Sequence, residues 1–244
     1  MAARRMQRLA GIVLLSVAVI AVAVGISTGG TASHPPKTQA QRSALYSQVD
    51  SLLTGIPESG TTLGNPAAPV SMTYYGDLEC PICQEFTLNT LPQFIEDDVR
   101  TGKASVTYRS FCTATCNDYS NGQAVFDSQQ VAAYAAGQQG LFWYYAELFY
   151  HEQGQEGSGY VTPSFLNGIA GQIPALDKTT WQTDLKDPDL LAQVQADQQT
   201  GHSAGVQGTP TLFLKGPKGE MQAPSGVVEP GGYSGLASTI KAVL

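Results

Sequence analysis

Residues 70–86 read VSMTYYGDLECPICQEF, and this stretch decides the fold. Val70 to Asp77 alternates bulky and small side chains in the manner of a β-strand. Beyond Cys80, the apolar residues Phe86, Leu88, Leu91, Phe94, Ile95 and Val99 recur at helical spacing. Cys80-Pro81-Ile82-Cys83 therefore lies at a strand-to-helix junction, and Pro81 suits a first helical turn, where no N–H is needed. Free N–H groups and the helix dipole at such a junction favour a thiolate. Two thiols two residues apart can close a small reversible disulfide. So short a loop constrains the unfolded chain little, which makes structural stapling a weak reason for it. By position, Cys80 is expected to be exposed at the helix end and to be the attacked sulfur. Cys83, one turn in, is its partner. The same spacing also serves zinc and iron–sulfur sites, so a second signal is needed. Gly208-Thr209-Pro210-Thr211, leading into the apolar strand Leu212 to Leu214, supplies one.

Outward from this stretch, the chain divides by composition. Leu9 to Ile26 is an unbroken run of 18 apolar and small residues, preceded by Arg4, Arg5 and Arg8. That length is just sufficient to span a bilayer and long for a cleaved signal, so residues 1–30 read as a signal-anchor. Cleavage near the small-x-small site Gly30-Thr31-Ala32, giving a secreted protein, is the alternative. Either way the flanking arginines put the rest of the chain outside the cytoplasm, where disulfides persist. The full chain carries a formal charge of −7, and its only N-terminal charges are those three arginines, so the remainder stands at −10. Such an acidic balance argues against nucleic acid as a partner.

Residues 31–58 read as a polar, Pro-containing spacer followed by a short amphipathic helix carrying Leu45, Val49, Leu52 and Leu53. Gly60 to Leu63 reads as a short edge strand, Ala104 to Phe111 as a further strand, and Pro92 as a kink in the helix from Cys80. From about 117 to 204 the pattern is helical, with Gly137 and Gly140 weakening one long apolar face. Strands at 210–215 and about 220–228 and a closing helix at 233–243 complete residues 59–244. The result is an α/β sheet with a helical block inserted in its middle.

These motifs resemble the DsbA-like thiol–disulfide oxidoreductases of the thioredoxin superfamily. The resemblance covers residues 60–244 and rests on residues 76–86, on Gly140 to Phe149, and on Gly205 to Thr211. It implies a thioredoxin-like fold and a catalytic pair matching Cys80 and Cys83. It also implies a cis Thr209–Pro210 bond beside the site, presenting the backbone of Thr209 to an extended substrate. The implied activity is formation of disulfides in exported cysteine-containing proteins. Re-oxidation by a membrane quinone-linked thiol oxidase, and no cofactor, go with it. An isomerase or reductase of the same fold is the alternative, and a non-catalytic thioredoxin-like chaperone is another. Ile82 adds no positive charge beside Cys80, which points to a mild oxidant.

Asp77 and Glu79 flank the pair, and a buried carboxylate there is a candidate for relaying a proton to Cys83. They are also readable as solvated acids at a helix N-terminus, where acids are favoured anyway. Cys112 and Cys116 follow the strand at 104–111; a local structural disulfide, a second redox pair and a four-thiol zinc site are all open to them. No metal is expected. His34, His151 and His202 share no ligand spacing, and Trp143 with its aromatic neighbours reads as core.

Overall fold

The computed structural model describes residues 37–120 and 122–244. The expectations for residues 1–30, for most of the spacer and for His34 lie outside the described residues. Among the described residues no helix is long and apolar enough to cross a membrane.

After a first helix, α1 (Gln39–Leu53), the chain enters a sheet. The central strand, β3 (Val70–Gly76), is buried along the face of Val70, Met72 and Tyr74, whereas the opposite face is covered only at its Tyr75 end, with Ser71 exposed. It pairs in parallel with β4 (Ala104–Ser110) and antiparallel with β7 (Thr211–Gly216). A hairpin of β1 (Glu58–Ser59) and β2 (Thr62–Leu63) joins β4 on one side, and β8 (Gly219–Gln222) joins β7 on the other. The six strands run β1-β2-β4-β3-β7-β8. A parallel pair needs a crossover, formed by α2 (Pro81–Asn89), α3 (Leu91–Phe94) and a π-helical turn at Ile95–Val99. The kink expected at Pro92 is a break at Thr90, whose hydroxyl donates to the Val227 carbonyl at 2.6 Å.

Between β4 and β7 the chain forms a two-strand hairpin, β5 (Tyr119–Ser120) and β6 (Gln123–Ala124), and then the helical insertion. Its helices are α4 (Val125–Gly137), α5 (Phe142–Glu152), α6 (Pro163–Ala170), α7 (Lys178–Asp184) and α8 (Pro188–Ser203). The apolar face from 131 to 149 is split at Gly137–Leu141, where Gly140 takes φ +69. Gly137 also approaches β1–β2 so closely that a Cβ would meet the Gly60 carbonyl at 2.9 Å. Both tryptophans are buried with their indole N–H groups satisfied: Trp143 donates to Thr61 and Trp181 to Ala132. The expected strand 220–228 stops at Gln222. Pro224 lets no ladder continue, and Ser225–Val228 is a 3-10 turn before α9 (Tyr233–Val243).

One expectation about organisation changes. The polar stretch before Leu45 is not all spacer, because α1 starts at Gln39 under a capping box of Thr38 and Gln41. Its Val49 and Leu53 are buried against the domain, Tyr144 donates to Asp50 at 3.1 Å, and Arg100 donates to the Leu52 and Thr54 carbonyls at the helix C-terminus. The described residues thus form one compact unit that includes α1. Leu53→Ala should lower the unfolding free energy by about 2–5 kcal/mol, the usual range for a fully buried leucine. Chemical denaturation checks this, and an unchanged midpoint would return α1 to the status of a spacer.

Candidate active site

Gly76 ends β3 with no room for a side chain, since a Cβ there would lie 2.6 Å from the Tyr108 ring and 2.9 Å from that of Tyr74. The next residues turn sharply: Glu79 N–H donates to Asp77 Oδ1 at 3.0 Å and Cys80 N–H to the Asp77 carbonyl at 3.1 Å. Cys80 then serves as the N-cap of α2, in extended conformation, with Pro81 at the first helical position. At the N-cap the sulfur sits beside the orphan N–H groups of the first turn without closing a cap hydrogen bond to them.

The two sulfurs are pulled in opposite directions. Both cysteines are free thiols. The Cys80 thiol is brought down to about 6, first by a hydrogen bond from Cys83, then by the Thr209 side chain and the N–H groups of Cys83 and Ile82, against the opposing effect of burial. Burial pushes the Cys83 thiol well up, and its hydrogen bond to Cys80 pushes it further. Cys83 is fully buried. Cys80 is only 6% exposed rather than open to solvent as its position suggested. The cover comes from the segment before β7. Because Tyr75 pairs with Thr211, residues just before Thr211 run alongside residues just after Tyr75. The Thr209–Pro210 peptide is cis, and the Thr209 carbonyl lies 3.5 Å from Cys80 Sγ. The buried Thr209 hydroxyl has no hydrogen-bond partner among the described residues.

Asp77 and Glu79 are both buried, so the solvated reading of these acids is set aside. Asp77 accepts from Gln129 at 2.8 Å, from Glu79 N–H, and from the Thr115 hydroxyl. Burial pushes its carboxyl up to about 7. Glu79 accepts from Gly157 N–H at 3.1 Å, and its other oxygen has no partner among the described residues. Burial raises it as well, to about 7, and nearby Asp118 and Glu156 add to the shift. Neither carboxylate hydrogen-bonds Cys83 among the described residues. The expected relay therefore has no direct contact on which to run.

Cys112 and Cys116 are bonded to each other, so the four thiols do not converge on a metal. The loop they close carries Thr115, fully buried on Asp77. His151 and His202 lie apart from the pair: Lys37 donates to the His151 carbonyl, and His202 packs edge-on to Phe111.

Several site residues carried no sequence signal. Gln153, just after α5, donates to the Leu78 and Cys80 carbonyls at 2.7 and 3.1 Å and holds the turn in place. Gln84 reaches the Tyr150 carbonyl at 2.6 Å. Tyr74, six residues before Cys80 on β3, places its hydroxyl beneath Cys83. Only its nearness in the chain to the cysteines hinted at a role.

The raised Asp77 carboxyl sets a pH dependence. An unfolded carboxyl ionises near 4, so the folded state loses stability from this group as pH rises from about 4 to about 7. Asp77→Asn keeps the shape and should raise the thermal midpoint at pH 8 while leaving it nearly unchanged at pH 4. Equal losses at both pH values would show that the carboxylate is held ionised.

A family model described as thioredoxin matches residues 57–229. The probable disulfide bond formation protein D of Bacillus anthracis is 26% identical over 159 residues, which is 64% of this chain and 69% of that protein. Oxidised BdbD from Bacillus subtilis superposes with a TM-score of 0.62 at 19% identity, over 76% of this chain and 95% of that one. DsbA2 of Pseudomonas aeruginosa gives 0.58 at 20% identity, over 78% and 97%. With the matched region spanning the sheet, the insertion and the C-x-x-C turn, the chain belongs to the thioredoxin family.

Proposed function

We propose that this chain is an extracytoplasmic thiol–disulfide oxidoreductase that introduces disulfides into exported proteins through Cys80 and Cys83. The observation that carries the reading is the opposed pair of thiols, one held as thiolate at a helix end and one buried and neutral. With its thiol near 6, Cys80 is about nine-tenths ionised at pH 7, against about one-hundredth for an ordinary thiol near 9. Stabilising that thiolate stabilises the reduced enzyme, which makes the disulfide form an oxidant. The Bacillus relatives named for disulfide bond formation support the same direction.

In the forward reaction a substrate thiolate attacks Cys80 Sγ of the enzyme disulfide. A substrate–Cys80 bond forms, the Cys80–Cys83 bond breaks, and the electron pair leaves on Cys83. A second substrate thiolate attacks the substrate sulfur of the mixed disulfide and releases Cys80 as thiolate. Substrate loses two electrons and two protons; Cys83 takes one proton and the other goes to solvent. The edge of the site beside Thr209, with exposed Ile82 (41%), offers backbone and apolar contact to an extended polypeptide. Cys112–Cys116 stays closed throughout as a support for Thr115.

The location outside the cytoplasm rests on the N-terminal apolar run and is supported by the Cys112–Cys116 bond, whose Cys116 end is exposed. Residues 9–26 tether the domain to the membrane, and a membrane quinone-linked thiol oxidase restores the disulfide. Retention in the membrane pellet after alkaline carbonate is the expected outcome for the full chain. A soluble protein starting near Ser33 would remove the tether.

Stoichiometric oxidised enzyme should introduce disulfides into a reduced multi-cysteine protein. Cys80→Ser should abolish this, and Cys83→Ser should accumulate mixed disulfides through Cys80. Alkylation of Cys80 in the reduced enzyme should be half-maximal near pH 6. Because this thiol is depressed, the reduced folded form gains stability as pH rises from about 6 to about 9 and loses that gain below 6. A reduction potential as low as that of a dedicated reductant would move the assignment to reductase.

A further inference from the structure

We propose that the Tyr74 hydroxyl is a catalytic hydrogen-bond donor to the Cys83 sulfur, engaged when that sulfur leaves as a thiolate. The inference rests on the redox reading of the pair. A leaving thiolate at Cys83 forms in a fully buried site, where a negative charge without a donor is costly. The sulfur has no surface open to solvent, so the donor must come from the protein. The Asp77 N–H is one donor toward it. Neither the Asp77 nor the Glu79 carboxylate hydrogen-bonds it among the described residues, and a carboxylate would in any case oppose it by like charge.

Tyr74 is fully buried on β3; its hydroxyl lies 3.5 Å from the Cys83 carbonyl and lowers the Cys83 thiol against the effect of burial, while closing no direct hydrogen bond to the sulfur in this state. Its other neighbours are Thr87 Oγ1 at 3.3 Å and the Tyr150 hydroxyl at 3.2 Å. The hydrogens can be counted. Tyr150 spends its own on the Asp77 carbonyl at 3.2 Å. Thr87 can give its hydrogen to the Tyr74 oxygen. Tyr74 then has one hydrogen and three acceptors: the Tyr150 oxygen, the Cys83 carbonyl and the Cys83 sulfur.

With Cys83 neutral or in the disulfide, these acceptors compete on similar terms. Once Cys83 carries the electron pair of the broken S–S bond, it is the only charged acceptor of the three, and charge-assisted bonds are roughly twice as strong as neutral ones. The hydroxyl then turns to sulfur. Tyr150 stays satisfied through Asp77, so the switch orphans no buried group. Tyr74 keeps its proton; the proton that finally neutralises Cys83 comes from the substrate dithiol. In the reduced enzyme the chain Tyr74 O–H to Cys83 S–H to Cys80 sulfur polarises both thiols in the direction that favours the Cys80 thiolate.

The experiment is stopped-flow reduction of the oxidised full-length enzyme by dithiothreitol, in which a thiolate attacks Cys80 and Cys83 leaves. Tyr74→Phe keeps the ring and should slow this step by about 10- to 100-fold, the worth of a hydrogen bond to a charged group. It should shift the thiol–disulfide equilibrium with dithiothreitol toward the disulfide by a smaller factor, because Cys83 ends as a neutral thiol and only the polarised chain to the Cys80 thiolate is lost. Tyr150→Phe should leave both within about threefold. A purely structural role would lower the thermal midpoints of oxidised and reduced enzyme together and leave the equilibrium in place. If Tyr74→Phe does not fold, site-specific 2,3-difluorotyrosine at position 74 keeps the shape and strengthens the donor, so the step should accelerate. An unchanged rate and equilibrium in either variant, beside a reactive parent, overturns the role of Tyr74 alone. A parent enzyme whose Cys80 and Cys83 form no exchangeable disulfide overturns the functional reading and this inference with it.

Discussion

A carboxylate buried at the end of a strand must find hydrogen-bond donors or be expelled, and Asp77 finds them on three separate segments. Glu79 N–H comes from the redox turn itself, Gln129 from the first helix of the insertion, and the Thr115 hydroxyl from the loop closed by Cys112 and Cys116. Burial still dominates, as the raised carboxyl shows. The site therefore tolerates this group only while all three segments stay in register. The position of the cysteines thus depends on the packing of the insertion on the sheet, and the loop closed by Cys112–Cys116 reaches the Cys80 turn through Thr115 and Asp77.

The same junction separates the fates of the two sulfurs. Three residues along a helix are enough to move a thiol from the N-cap, where N–H groups converge, to the first buried turn. Cys80 gains donors from the turn, from Cys83 and from Thr209; Cys83 meets Tyr74 and its own partner. The groups that act most strongly on Cys80 are dipoles and hydrogen-bond donors rather than a cation. The neutral Ile82 in the turn fits that arrangement and leaves an apolar side chain facing outward.

The insertion is more than a cover. Helix α5 supplies Tyr150 from its buried side, and Gln153 follows at its end, so one element contacts Tyr74, Gln84 and the carbonyls of the redox turn. The aromatic residues Tyr74, Tyr108, Phe86 and Phe142 pack edge-on or tilted between it and the sheet. Rigid rings carry few rotatable bonds, which suits a region that must hold hydroxyl groups to within a few tenths of an ångström.

The sequence by itself determined the strand-to-helix junction at Cys80, the apolar stripe of the following helix, the inserted helical block and the loop before β7. Each of these is local: periodicity, a proline at a first turn, a short thiol spacing. It misjudged the stretch before Leu45, where a capping box began a helix within polar residues, and the end of β8, where Pro224 stopped the ladder. What it could not hold was any property fixed by distant neighbours. Asp77 and Glu79 read as either relay or solvated acids until burial removed the second option and their hydrogen bonds left the first without a contact. Cys80 read as exposed until the Thr209–Pro210 segment covered it. Tyr74 and Tyr150 meet across 76 positions of chain, and neither has a local pattern that marks it. Burial and hydrogen-bond partnership belong to the packed molecule, so the tertiary structure alone decided which side chains act on the sulfurs.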